Sequence, residues 1–144
     1  MSGKIDANDR WEIQDAINRY TLATDTGDIA GFVDAFAPDA VLISSDNERL
    51  EGREAIRAHI AHELAAPNMR GRQHYFSSVK WEREGDAVRV FSYWMVAHRA
   101  GATAKPDVRS MGSTEDVCRK VGGAWKIAQR TIRRWHADAA PWFA

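Results

Sequence analysis

Asp25 falls in a stretch whose apolar residues recur at helical spacing, between Leu22 and Phe32. A carboxylate carried inward by such a pattern needs a partner, because burying it unpaired is costly. The side chain best suited to move a proton near neutral pH is histidine, with an unperturbed pKa of about 6.5. His74 opens a β-rich stretch in Gln73-His74-Tyr75-Phe76, and His98 closes the following one. His59 and His62, with Glu63, recur at helical spacing. They do not form His-Glu-x-x-His, so a solvated helix face is expected there and no metal site. Tyr20 offers a phenolic proton and Arg130 a permanent positive charge. Cys118, the sole cysteine, reads as a small hydrophobe and excludes both an intramolecular disulfide and a zinc site built from cysteines of one chain. With no Gly-x-Ser-x-Gly, phosphate loop or dinucleotide fingerprint, no cofactor is expected.

The elements that must position these groups follow from periodicity. Asp9-x-x-Glu12 has the form of a capping box and predicts a helix starting there, with Ile13, Ile17, Tyr20 and Thr24 on one stripe. Trp11, Leu22 and Asp25 lie on a second side. Gly27 ends this helix, and Asp28 caps a short second one carrying Ile29, Phe32, Val33 and Phe36, closed by Pro38. A strand over Ala40–Ser44, a turn over Ser45–Glu48 and a helix from Gly52 to Leu64 come next. Four alternating β segments complete the chain: Gln73–Glu82, Ala87–Arg99, Ser110–Lys120 and Trp125–Trp135. Gly85-Asp86 and Gly122-Gly123 supply tight turns, and residues 100–107 a mobile loop. This order predicts an α+β fold, a strongly curved and mainly antiparallel sheet wrapped around N-terminal helices as a cone-shaped barrel. Aromatic and aliphatic candidates for the cavity wall are Trp11, Phe32, Phe36, Phe76, Trp94 and Ile132.

Composition limits the alternatives. The 144 residues suit one domain over 1–144, 44% are hydrophobic and 28% charged, and six are tryptophan. Lys plus Arg (20) balance Asp plus Glu (20), so no net field draws nucleic acid or anionic lipid. The basic run Arg130-Thr131-Ile132-Arg133-Arg134 has no recognition motif around it. The N-terminal residues lack the apolar core of a signal peptide and no segment is long and apolar enough to span a membrane, so a cytoplasmic protein is expected.

This arrangement resembles the nuclear transport factor 2-like superfamily and, within it, the SnoaL-like proteins. The resemblance is carried by the opening helix, by Gly27 to Val41, by Gly52-Arg53-Glu54-Ala55-Ile56 and by the closing hairpin Gly122 to Ile127. At Asp25 and His74 the chain is similar to scytalone dehydratase, bile acid 7α-dehydratase and hexachlorocyclohexane dehydrochlorinase, which implies an aspartate that orients a histidine base. Tyr20 resembles a polar pocket residue of the bile acid enzyme, and Arg130 the cavity arginine of the dehydrochlorinase. The resemblance implies a cofactor-independent lyase acting on a small hydrophobic cyclic or aromatic compound, with Asp25, His74, Tyr20 and Arg130 catalytic. Double-bond isomerisation uses the same base. A non-catalytic ligand-binding or assembly module is the reading from another class, and a homodimer or homotrimer is expected under either.

Overall fold

The computed structural model describes residues 3–139, so the ends of the expected 1–144 domain lie outside the described residues. Helix α1 spans Ala7–Thr26. It begins earlier than the capping box predicts, because Asp6 is the residue whose carboxylate accepts from the Asn8 amide, at 2.8 Å. Asp9 is drawn instead to the sheet. Its oxygens accept from Trp125 Nε1 at 2.8 Å and Arg83 Nη2 at 3.0 Å, and Lys120 Nζ lies at 2.9 Å. Three donors fixed by strands outcompete one amide of a helix end. Gly27 ends α1 in the left-handed conformation (φ 75°), where a side chain would be strained.

Helix α2, Ile29–Asp34, is capped by Asp28, which accepts from the Gly31 amide at 2.9 Å. Phe36 does not belong to it. Strand β1 already starts there and runs over Phe36–Ile43, so Pro38 lies inside a strand rather than closing the helical unit. The pairing of β1 with its neighbour is irregular between Phe36 and Val41, which is where a residue without an N–H disrupts least. Strand β2 (Arg49–Glu51) and helix α3 (Gly52–Ala65) follow. The remaining strands are β3 (Arg72–Glu84), β4 (Ala87–His98), β5 (Asp107–Val121) and β6 (Ala124–Arg134).

The six strands form one sheet in the order β2-β1-β6-β5-β4-β3, parallel only between β1 and β6. Register shifts between Ser78 and Lys80, Val96 and Ala97, and Val117 and Cys118 bend the strands. The sheet curls as the sequence predicts but leaves its edges unjoined, so it is a mixed, open cone. Ile13, Ala16 and Ile17 of α1 are fully buried against Phe32, Phe36, Ile56, Val88, Val90 and Ile127. Each such aliphatic or aromatic side chain stabilises the fold by about 1.5–3 kcal/mol relative to exposure. Among the described residues no helix is long and apolar enough to cross a membrane.

The Asp9 contacts give this packing a pH dependence. Hydrogen bonding from Lys120, then from Trp125, holds the carboxyl below its ordinary range. A depressed carboxyl pKa contributes stability above the unfolded value of about 3.9 and loses it as pH falls through the folded value. Asp9→Asn is therefore expected to lower the urea midpoint at pH 7, and the difference from the parent is expected to shrink as pH drops below about 4.

Candidate active site

Asp25 lies in the last turn of α1 and His74 near the start of β3. Their side chains meet, Asp25 Oδ1 standing 2.5 Å from His74 Nδ1. The second carboxylate oxygen accepts the backbone N–H of His74 at 2.9 Å. Strand β3 is an edge of the sheet, so alternate amides along it have no ladder partner, and Asp25 satisfies one of them. The inward-turned carboxylate of α1 thus caps an open strand edge and orients a ring in the same contact. Thr21, Thr24 and Thr26 return their hydroxyls to the carbonyls of Ile17, Tyr20 and Leu22, so none of them competes for Asp25.

A carboxylate only accepts, so Nδ1 carries the ring hydrogen and Nε2 of the neutral imidazole holds the lone pair. Nε2 meets no partner among the described residues. The ring borders a cavity of about 580 Å³, within the usual range for small-molecule sites. The pair is shielded without being sealed, the side chains being 16% and 15% exposed.

Of the predicted wall residues, Phe32, Phe76, Trp94 and Ile132 line this cavity, as does Tyr20. Trp11 does not. It is 72% exposed and borders a separate surface groove with Trp81, since it projects from the side of α1 opposite the buried stripe. Phe36 is fully buried behind Tyr20, ring centroids 5.9 Å apart, and forms core rather than cavity wall. Thr24 and Thr114 border the cavity without having been foreseen as site residues. Inward alternation along β5 was the available signal for Thr114, and its polarity concealed it.

Arg130 departs most from expectation. It is fully buried, yet it is absent from the cavity wall. Asp116, also fully buried, takes its Nε and Nη2 at 2.6 and 2.7 Å. The guanidinium carbon lies 3.9 Å from the Tyr20 ring centroid and 5.3 Å from that of Phe76. Burial alone would lower the Arg130 pKa, but the charge and hydrogen bonds of Asp116 more than offset it and the net direction is upward. Burial pushes the Tyr20 phenol up, with the Arg130 charge opposing, so Tyr20 is protonated at neutral pH. Asp116 could not be singled out from sequence because its partner is on another strand, 14 residues away.

Two further histidines are held by neighbouring groups. His98 Nε2 donates to the Arg70 carbonyl at 3.1 Å, which leaves Nδ1 to accept from Arg109 at 2.9 Å. His59 Nδ1 is 3.3 Å from Glu48. Among the described residues no three His, Cys, Asp or Glu side chains converge as metal ligands. Cys118 is buried, and burial pushes its thiol up, which makes it a poor nucleophile.

Comparison with known proteins agrees with this architecture. The SnoaL-like domain family matches residues 6–131, and the chain belongs to that family. No curated protein matches the sequence significantly. A Nostoc punctiforme protein of unknown function with a cystatin-like fold is 23% identical, with a TM-score of 0.82 over 94% of this chain and 97% of that one. A Catenulispora acidiphila protein in complex with S-DNPA is 24% identical, with a TM-score of 0.76 over 90% and 95%. A candidate scytalone dehydratase from Novosphingobium aromaticivorans is 20% identical, with a TM-score of 0.75 over 90% and 85%. At these identities the likeness is one of fold.

The Arg130–Asp116 pair sets up a contrast in stability. Removing one member leaves an uncompensated buried charge, and Asp116→Asn is expected to destabilise the protein by about 3–5 kcal/mol in urea unfolding. Replacing both, as Asp116→Leu with Arg130→Met, is expected to recover most of that loss. Equal losses in the single and double variants would refute the assignment of the pair as a desolvated unit.

Proposed function

We propose that this chain is a cofactor-independent lyase acting on a small hydrophobic cyclic or aromatic compound, with His74 as the general base and Asp25 orienting it. The observation that carries the reading is the 2.5 Å contact between Asp25 and His74 Nδ1 at the wall of the cavity. Nε2 faces a substrate carbon with its lone pair, and the imidazolium formed is stabilised by the Asp25 carboxylate. The electron pair of the broken C–H bond becomes a new double bond as the leaving group departs with its own pair. When that group is hydroxide, the proton held by His74 returns to it and the net loss is water.

Tyr20, at the cavity wall, donates to developing negative charge. Arg130 acts from behind it, through its positive charge over the Tyr20 ring. Phe32, Phe76, Trp94 and Ile132 keep water from the reacting carbon. Isomerisation is the variant in which the proton returns to a different carbon. That a fold neighbour holds a small molecule and another is described as a candidate dehydratase supports this use of the cone.

One observation favours the assembly role alongside catalysis. The outward face of the sheet exposes Tyr75, Tyr93, Met95, Val108 and Met111, an apolar surface that suits the homodimer or homotrimer expected from sequence.

Incubation with a panel of cyclic hydroxy and halogenated compounds, followed by ultraviolet detection of new unsaturation, tests the chemistry. His74→Ala is expected to reduce turnover by about 10²- to 10⁴-fold and Asp25→Asn by up to about 10⁴-fold, with the cavity intact by ligand binding. Full activity in His74→Ala would remove the base from the mechanism.

A further inference from the structure

Three buried side-chain polar atoms have no hydrogen-bond partner among the described residues: Trp94 Nε1, Thr114 Oγ1 and Arg130 Nη1. The sheet register places them together. Trp94 pairs with Gly112, two residues from Thr114 on β5, and Thr114 pairs with Ile132, two residues from Arg130 on β6. All three are inward-facing, and each is a diagonal neighbour of the next. Trp94 and Thr114 line the cavity. Arg130 stands behind them beside Tyr20.

Their isolation is built into the fold. A Cβ at Gly112 would lie 2.4 and 2.5 Å from atoms Cζ2 and Cε2 of the Trp94 indole, so the absent side chain is what lets the ring lie against β5. Ser92, directly across from Thr114, turns its hydroxyl away to Ser78 at 3.2 Å, and Ser78 in turn donates to Gln14 at 3.0 Å. Trp94 Nε1 and the guanidinium can only donate, and a threonine hydroxyl can donate. What this wall lacks is an acceptor.

We propose that Thr114 and Trp94, backed by Arg130, form the subsite for a carbonyl oxygen of the substrate. This rests on His74 as the base and narrows the substrate class. His74 pairs with Val96 and through it with Ser110. Gly112 and Thr114 then lie two and four residues further into the cone, about 7 and 13 Å along the strand. A six-membered ring measures about 4 Å from a ring carbon to the carbonyl oxygen across it, and a contact of about 3 Å at each end brings the total to about 10 Å, between those two offsets, so the carbonyl sits across the ring from the carbon that loses its proton and is conjugated with it. The proton passes to His74 Nε2, the C–H electron pair moves through the intervening double bond, and the charge settles on the carbonyl oxygen at the donor wall. Loss of a leaving group, or return of the proton elsewhere, then discharges it. Thr114 Oγ1 and Trp94 Nε1 are both closed to solvent, so engaging the oxygen involves a change of side-chain rotamer at each.

Isophorone tests the subsite, since it carries one carbonyl, no donor and, across the ring, a methylene (C4) conjugated with the carbonyl through the ring double bond. The control is the trimethylcyclohexene of the same skeleton without the carbonyl. Binding is measured by titration in NMR, and base action by deuterium uptake at the C4 methylene. The parent is expected to bind isophorone more tightly than the control. Thr114→Val and Trp94→Phe, each checked for folding by circular dichroism, are expected to weaken isophorone about tenfold relative to the control, equivalent to ~1.4 kcal/mol. His74→Ala is expected to keep the preference for isophorone and lose deuterium uptake. No saturable isophorone binding, no preference over the control, or equal weakening of both ligands in the variants overturns the subsite, whatever happens to uptake. Uptake that survives in His74→Ala overturns the base instead.

Discussion

Everything the site can do depends on one carboxylate being shared between a backbone and a ring. Asp25 gives Oδ2 to the His74 amide and Oδ1 to its imidazole, so both oxygens are committed to a single residue. A carboxylate bonded only to the ring would leave the imidazole free to tilt with the helix. Bonded to the amide as well, it ties ring orientation to the strand itself. The amide needs an acceptor because β3 is an edge strand, and the helix carboxylate needs donors because it points inward. Each group satisfies the other, and the lone pair of Nε2 is left over for chemistry.

A second buried polar unit supports the opposite wall. Arg130 and Asp116 are both without solvent exposure, and their attraction has to offset two desolvation costs. A hydrophobic pair would fill the same volume more safely. What the ion pair adds is a fixed positive charge 3.9 Å from the Tyr20 ring centroid, inside a region whose remaining surfaces are aromatic and aliphatic. In a low-dielectric wall such a charge acts further than it would in water. In the proposed mechanism the guanidinium, its charge largely balanced by Asp116, acts through its orientation toward Tyr20 to favour a guest that develops negative charge.

The fold was legible because its signals are local. Period-two alternation marked four long strands, Gly122-Gly123 marked a turn in which both residues have positive φ (57° and 83°), and Gly27 and Asp28 marked the break between helices. The signals failed where a distant partner decides. Asp9 has a capping-box sequence but finds Arg83, Lys120 and Trp125. Phe36 continues a helical spacing but is drawn into pairing with Ile127 of β6. The same limit applied to the site. Asp25 and His74 were singled out because the family resemblance supplied a long-range pairing that periodicity cannot. Asp116, with no such help, was missed, and Arg130 was expected in the cavity rather than behind it. Trp11 is a wall candidate on periodicity, yet the helix turns it outward to 72% exposure.

The register arranges the inner face in layers along the cone. Arg72 faces His98, and His98 faces Asp107, in a charged layer at the mouth, where Arg109 also borders the cavity. His74 and Val96 come next, then Phe76 and Trp94, then Ser78, Ser92 and Thr114, and then Val90 with Asp116 and Arg130. Val88 and Cys118, both fully buried, close the series. The His74 imidazole therefore sits one layer inside the mouth, and the buried guanidinium lies three layers deeper. In the proposed mechanism a guest reaching the buried end passes the imidazole, with its inner end at the donors and its outer end at the base. Proton removal and charge stabilisation would then be separated along one axis by the strand repeat itself, and this spacing, rather than any single side chain, would select the length and polarity of the molecule that fits.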